Sequence, residues 1–203
     1  MIIYVFKGKH KNKSEELLRN TLEVYAKDMG EKSVDFECVD FAEFELKKTQ
    51  SGKPFLEGYP FHFSISHTGE IWSCLVAPEN VGLDIQKTRK VNFDKLANRF
   101  FLDEEIKFVR DYGIDGFFDI WVRKEACIKY FGTGIRDIRT FSVVKDGELA
   151  KEIIFECKNS NFAQKSDGKD SVCFINAFEL ASNVKGAYCC GIKWTDLWIR
   201  ELD

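Results

Sequence analysis

The sequence Trp121-Val-Arg-Lys124-Glu125-Ala-Cys127-Ile128-Lys129-Tyr130 interleaves aromatic, charged and apolar residues. It lies in a run from Phe117 to Phe131 without Gly or Pro, which predicts a helix of about four turns. On such a helix Phe117, Trp121, Glu125 and Lys129 fall at i, i+4, i+8 and i+12, and Ile128 lies beside that line. One carboxylate and one ammonium therefore share a stripe with the apolar residues that face a core. The plainer alternative is a solvated Glu–Lys pair at i, i+4, which stabilises a helix by only ~0.2–0.5 kcal/mol. A carboxylate held against Trp121 and Ile128 instead needs a cation or a metal, because burying it alone is costly. That is the arrangement expected of a site.

Working upstream, Val81-Gly82-Leu83-Asp84-Ile85-Gln86 alternates as a strand does. Val81, Leu83 and Ile85 point into a core, and Gly82, Asp84 and Gln86 point the other way. Gly82 leaves room for a ligand to approach the backbone, and Asp84 and Gln86 offer oxygen atoms from one face; a solvent-facing strand edge is the alternative. Phe61, Phe63 and Ile65 alternate with His62, Ser64 and Ser66, and the run ends in His67-Thr68-Gly69, a turn from which an imidazole and the backbone can both reach a phosphate. Residues 71–77 read as the returning strand of a hairpin. Lys53, between Gly52 and Pro54, is either held rigidly toward an anion or part of an ordinary turn. Asp84, Gln86 and Glu125 are enough for Mg²⁺ if a diphosphate completes its shell, while Lys53, His67 and Lys129 supply cations and donors for the rest of that anion. The chemistry such a set favours is displacement at phosphorus.

The remaining chain reads as a mixture of helices and antiparallel strands. Residues 2–6 form a strand, followed by Lys7, Lys9, His10, Lys11 and Lys13, which make a solvated turn or a phosphate-binding edge. Ser14 is the expected N-cap of a helix through Leu17, Leu18, Leu22 and Tyr25, closed by Gly30. Residues 34–44 read as a strand and turn, residues 92–101 as a short helix, and a further helix begins near Asp103 and ends at Tyr112-Gly113. Residues 140–144, 153–157, 172–178 and 188–194 read as strands of a meander, with a polar loop over 158–170.

Composition sets the outer bounds. With 203 residues, 44% of them hydrophobic, the chain has enough apolar surface for a real core. A net charge of −3 argues against general nucleic-acid binding. No apolar run approaches the ~20 residues that span a bilayer, and the first residues lack the basic start of a signal peptide, so a cytoplasmic protein without a membrane partner is expected. The seven cysteines, at 38, 74, 127, 157, 173, 189 and 190, include no C-x-x-C pair. Neither a zinc site nor a disulfide framework follows from their spacing, and most are expected to be small buried apolar residues.

Five motifs in order carry a family resemblance: Gly52-Lys53-Pro54, Phe63-Ser-Ile-Ser66-His67-Thr68-Gly69, Gly82-Leu-Asp84-Ile-Gln86, Arg99-Phe100-Phe101, and the W-x-x-K-E-x-x-x-K pattern from Trp121 to Lys129. Together they resemble the 4′-phosphopantetheinyl transferases of the surfactin-synthetase-activating type, over roughly Gly52 to Gly134. Members of that family move the phosphopantetheine arm of coenzyme A onto a serine of a carrier protein. The resemblance implies an α+β fold of two similar α/β subdomains in a pseudo-twofold arrangement, here 1–100 and 101–203, with coenzyme A in the cleft between them. It implies Asp84 and Glu125 as Mg²⁺ ligands with Gln86 beside them, and Lys53, Ser66 and His67 as contacts to the phosphates of coenzyme A. Lys129 would stabilise the leaving 3′,5′-ADP phosphate, and Glu125 would assist deprotonation of the carrier serine, so that Asp84, Glu125 and Lys129 form the catalytic set. Arg99, Phe100 and Phe101 are implied at carrier docking.

Two departures from the pattern matter. Gln86 stands where the family often has Glu, and a neutral amide is a weaker Mg²⁺ ligand. The short N-terminal part offers no clear counterpart of the family's basic residues for the coenzyme A 3′-phosphate, for which Lys9, Lys11 and Lys13 are substitutes. Expected partners are coenzyme A and an apo acyl or peptidyl carrier protein, and a monomer suffices. Two other readings are a non-catalytic binding protein for coenzyme A or a carrier, and a Mg²⁺-dependent nucleotide hydrolase. Retention of Glu125 and Lys129 on a buried stripe favours the transferase.

Overall fold

The computed structural model describes residues 1–30, 45–49, 51–155 and 171–202. The strand and turn expected over 34–44, the polar loop over 158–170, Cys38 and Cys157 lie outside these residues. In chain order the elements are β1 (Ile2–Lys7), α1 (Ser14–Gly30), β2 (Lys47–Lys48), β3 (Pro54–Phe55), β4 (His62–Thr68), β5 (Ile71–Ala77), β6 (Val81–Lys87), α2 (Phe93–Phe100), α3 (Asp103–Phe131), a 3₁₀ turn (Ile135–Asp137), β7 (Val144–Lys145), β8 (Glu148–Leu149), β9 (Glu152–Phe155), β10 (Ser171–Ala181), β11 (Val184–Cys190) and β12 (Trp198–Leu202).

The α+β class expected from the sequence is what the chain adopts. One four-stranded sheet runs β12-β1-β5-β4 and a second runs β6-β11-β10-β9. All pairings are antiparallel except β1 with β12, which is parallel. Each sheet buries one face under a helix. Leu17, Leu18 and Leu22 of α1 pack on Tyr4, Trp72 and Val76, while Phe117, Ile120 and Ile128 of α3 pack in the core that holds Cys173, Ile175 and Cys189. Strand pairing crosses residue 100 in both directions, since β6 lies in the second sheet and β12 in the first.

The two sheets meet where β4 runs beside β6, and the junction is made by side chains. The backbone N–H groups of Leu83, Ile85 and Lys87 donate to the hydroxyls of Ser64, Ser66 and Thr68 at 2.9, 3.1 and 2.9 Å. Alternation at period two places those hydroxyls on one face of β4, matching alternate N–H groups of β6. The solvent-facing alternative for β6 does not hold: Asp84 is buried along with Leu83 and Ile85, and Ser64 and Ser66 of β4 are buried with Phe63.

The space at Gly82 is also not left for a ligand. A Cβ there would lie 2.0 Å from the Ala126 carbonyl oxygen and 2.5 Å from the Tyr130 nitrogen, so α3 rests directly on β6 at this point. The helix end expected at Tyr112-Gly113 is instead a kink, with φ 63° and ψ −143° at Gly113 dividing α3 into two helical segments, and the helix ends at Gly132 in the left-handed region.

Three expectations shift. Ser14 is the first helical residue rather than a cap, and its Oγ accepts the Trp72 indole N–H at 3.0 Å. The last strand of the meander stops at Cys190, short of residue 194, and β12 follows without having been anticipated. Residues 140–143 are not a strand, because a buried ion pair holds their backbone instead. Lys124 and Glu105, both 0% exposed, lie 2.9 Å apart. The Lys124 ammonium donates to the carbonyls of Ile138 (2.7 Å) and Phe141 (2.5 Å), and Glu105 accepts the N–H groups of Leu102 and Val143, each at 2.9 Å.

Two predictions rest on this packing. Gly82→Ala must push α3 off β6 and should lower stability by about 3 kcal/mol or more, read from the urea midpoint. Lys124→Met strands a buried carboxylate and should cost about 3–5 kcal/mol, of which adding Glu105→Gln recovers a measurable part.

Candidate active site

Seating α3 on β6 brings charged residues from two elements to the sheet junction. The Lys129 ammonium donates to Asp84 Oδ1 at 2.8 Å, to the Leu83 carbonyl at 2.9 Å and to the Ile65 carbonyl at 3.3 Å. Those three bonds use all the N–H donors an ammonium has. Ser66 Oγ, while accepting from Ile85, donates to Asp84 Oδ1 at 2.8 Å. Asp84 is thus fixed by β4 and α3 through one of its two oxygens. Its Oδ2 accepts no hydrogen bond among the described residues.

Glu125 sits one turn before Lys129, partly buried, and its carboxylate has neither a hydrogen bond nor an ion pair among the described residues. Burial, and then the negative charge of Asp84, raise the Glu125 carboxyl above the usual range, with Lys129 offsetting only part of the effect. A half-buried carboxylate beside a second one, with oxygens left over on both, is a site that a hard cation would relieve. Gln86, two residues beyond Asp84 on β6, adds an amide; its nitrogen makes long contacts of 3.4 Å to Thr68 Oγ1 and to the Lys87 carbonyl. The donor set fits Mg²⁺, which takes carboxylate and carbonyl oxygens and leaves several positions for water or phosphate.

The other residues expected at the site are distributed around it. His67 is exposed at the far end of β4, with its ring 5.4 Å from that of His10. This places it against the loop that carries Lys9, Lys11 and Lys13, a loop tied down by the Gly8 N–H donating to the Glu70 carbonyl at 2.8 Å. Lys53 stands at the opposite end of β6, its ammonium donating to Asn80 Oδ1 (2.8 Å) and the Val81 carbonyl (2.7 Å). Ser66 is buried, and its hydroxyl is engaged with Asp84 and Ile85.

Of the residues expected at carrier docking, Phe101 is corrected to a core residue. It is 0% exposed and packs on Phe117 and Trp121, which take up its whole ring. Arg99 is exposed, with its guanidinium 5.0 Å from the Phe100 ring, and Phe100 is partly buried edge-on against Trp121.

Sequence reading missed Ser64, Thr68, Asn80 and Glu105. The hydroxyls at 64, 66 and 68 carry a signal in their period of two. Asn80, which accepts from Lys53 and donates to the Tyr130 carbonyl at 2.6 Å, and Glu105 carry none.

The chain belongs to the 4′-phosphopantetheinyl transferase superfamily, whose sequence model matches residues 80–189, more than half of its length, including Asp84, Glu125 and Lys129. It is 28% identical over 159 residues to the 4′-phosphopantetheinyl transferase Sfp of Bacillus subtilis (strain 168), which covers 74% of this chain and 65% of that protein. A second Bacillus subtilis 4′-phosphopantetheinyl transferase is 32% identical over 146 residues, covering 68% of this chain and 59% of its own. The L-aminoadipate-semialdehyde dehydrogenase-phosphopantetheinyl transferase of Xenopus laevis is 35% identical over 108 residues, 44% of this chain and 36% of that one. The chain thus spans less than two thirds of the length of each of these relatives. Among the described residues no helix is long and apolar enough to cross a membrane.

The raised Glu125 carboxyl generates a prediction about stability. Because the folded-state value lies above the unfolded one, ionisation of Glu125 opposes folding: the penalty is absent below the ordinary carboxylate range and complete above the raised value. Glu125→Gln should therefore raise the Tm of the metal-free protein at neutral pH. The gain should vanish as pH falls below the carboxylate range. Calorimetry in chelator over a pH series checks it.

Proposed function

We propose that this protein transfers the 4′-phosphopantetheine group of coenzyme A to a serine of an apo acyl or peptidyl carrier protein, in a Mg²⁺-dependent reaction at Asp84, Glu125 and Lys129. The observation that carries the proposal is the convergence of a half-buried carboxylate, unpartnered among the described residues, with a fixed one and a lysine, within the span that matches the family. In the reaction the serine oxygen forms a bond to the β-phosphorus of coenzyme A, the pyrophosphate P–O bond breaks, 3′,5′-ADP leaves, and the serine proton is taken up. Asp84 and Glu125, with Gln86 beside them, would hold Mg²⁺, which neutralises charge on the diphosphate when bound.

The chain's own residues account for the rest. Glu125, with a carboxyl lifted by burial and by Asp84, is a better proton acceptor for a hydroxyl than an ordinary glutamate. Ser66 holds Asp84 in place. Lys129 reaches a phosphate by exchanging its longest bond, the 3.3 Å contact to Ile65. His67 and the lysines beside His10 form one basic edge for phosphate groups, and Lys53 forms another at the opposite end of β6. Coenzyme A is long enough to touch more than one of these points. The two sheets, the first under α1 and the second under α3, are the two halves that flank it, and Arg99 with Phe100 offers the carrier a basic and apolar contact. We place the reaction in the cytoplasm and in a single copy of the chain.

The test is intact-mass analysis of several apo carrier proteins after incubation with the protein, coenzyme A and Mg²⁺. The expected result is a gain of one phosphopantetheine group, absent in chelator and at least ~100-fold slower with Glu125→Ala or Lys129→Met. Coenzyme A binding without transfer to any carrier moves the assignment to a binding protein. Phosphate or nucleotide release without a carrier moves it to a hydrolase. In the same assay Gln86→Glu should lower the Mg²⁺ concentration needed for half-maximal rate, and an unchanged Mg²⁺ dependence removes Gln86 from the cation's surroundings.

A further inference from the structure

Beneath the site, in the core between α3 and the second sheet, the sulfur atoms of Cys127, Cys173 and Cys189 all lie within 4.8 Å of one another. Cys127 comes from α3, Cys173 from β10 and Cys189 from β11, and each is 0% exposed. Nothing in the proposed transfer reaction uses them.

The strand register separates two explanations for this convergence. Cys189 lies opposite Ile175, which makes Cys173 its diagonal neighbour on the same face of the sheet. Diagonal neighbours stand ~7–8 Å apart between Cα atoms, at or beyond the roughly 7 Å limit for bridging two cysteines without backbone movement. The strands therefore do not present a disulfide pair. They present two sulfurs aimed at the same point, and the helix lowers a third onto it.

Charge then selects among the ions that three sulfurs can hold. Structural zinc takes four ligands, and among the described residues no histidine or carboxylate joins this group. Three thiolates around Zn²⁺ would leave one negative charge in an apolar core, and around Cu⁺ two, which burial makes costly. A trivalent element leaves none. Arsenous acid condenses with three thiols to form three As–S bonds, with each hydroxyl leaving as water together with a thiol proton. No charge, oxidant or reductant remains to be supplied.

We propose that Cys127, Cys173 and Cys189 form a three-sulfur site for a trivalent, thiophilic oxyacid of the arsenite class. Because every sulfur is buried, loading waits on local opening of the core and is slow. Cys127 lies between Glu125 and Lys129 in sequence, so the occupied site ties the helix that carries both to β10 and β11.

The experiment incubates the full chain with sodium arsenite and a phosphine reductant, then measures native intact mass and arsenic X-ray absorption. The expected adduct has the mass of one arsenic less three hydrogens, with three sulfur neighbours and no oxygen. Cys127→Ala, Cys173→Ala and Cys189→Ala should each reduce its yield at least tenfold, whereas Cys74→Ala and Cys190→Ala should leave it unchanged, with circular dichroism confirming that each variant is folded. If the alanine variants do not fold, the absorption spectrum of the unmodified chain decides. No adduct after prolonged incubation, an adduct that retains an arsenic-bound hydroxyl, or one that survives the three substitutions overturns the proposal. So does stoichiometric uptake of zinc in place of arsenic.

Discussion

The Lys129 ammonium is the contact on which the site depends. It touches β4 through the Ile65 carbonyl, β6 through the Leu83 carbonyl and the site through Asp84, while its own backbone belongs to α3. The two sheets it joins share hydroxyl-to-amide bonds at their common border, through Ser64, Ser66 and Thr68. Such a border is polar by construction, and polar groups there are tolerated only when bonded. Ser66 and Lys129 satisfy it and, with the same atoms, orient Asp84. Joining the sheets and aiming the carboxylate are therefore one task, and the site inherits the rigidity of the junction.

Lys124 and Glu125 show how a helix can serve structure and chemistry with adjacent residues. Lys124 points into the core and is matched by Glu105 and two carbonyls, so its charge is compensated on every side. A pair buried in this way adds little net stability, but its bonds determine where residues 138–143 run. Glu125 points to the junction and is matched by nothing comparable. The first residue secures the helix from below, and the second offers the charge that the helix holds in place.

The two segments of the long helix were legible, though as separate helices, because their apolar period and the glycines at 113 and 132 are local signals, and β4, β5 and β6 because alternation is local too. What a neighbouring element does with a residue was not. Gly82 reads as an opening in any single strand, yet α3 fills it. Phe101 follows an arginine and an aromatic residue, which reads as a surface motif, but the turn into α3 carries its ring into the core. Residues 140–143 have strand-like composition and lose the strand to a lysine and a glutamate far from them in sequence. Strand β12, with Trp198 at 69% and Ile199 at 47% exposure, lacks the buried alternation that reveals the others. The grouping of Asp84, Glu125 and Lys129 was legible through their motif, whereas the separation of Lys53 from His67 along β6 depends on the tertiary packing.

Gln86 then takes on a physical meaning that the sequence pattern alone does not give it. Burial and then Asp84 already raise the Glu125 carboxyl, and the two acids repel in the absence of a cation. A third carboxylate at 86 would stand two residues from Asp84 on the same face of β6. Its cross-strand neighbour, Lys185, is already held by Asp119 at 2.8 Å and would not fully compensate it. The neutral amide keeps the repulsion at the junction to two charges and gives up one strong oxygen ligand in return. A chain built this way is less strained when empty and, in the proposed reaction, would hold Mg²⁺ less tightly than one with Glu at 86, a balance set by one atom on the end of one side chain.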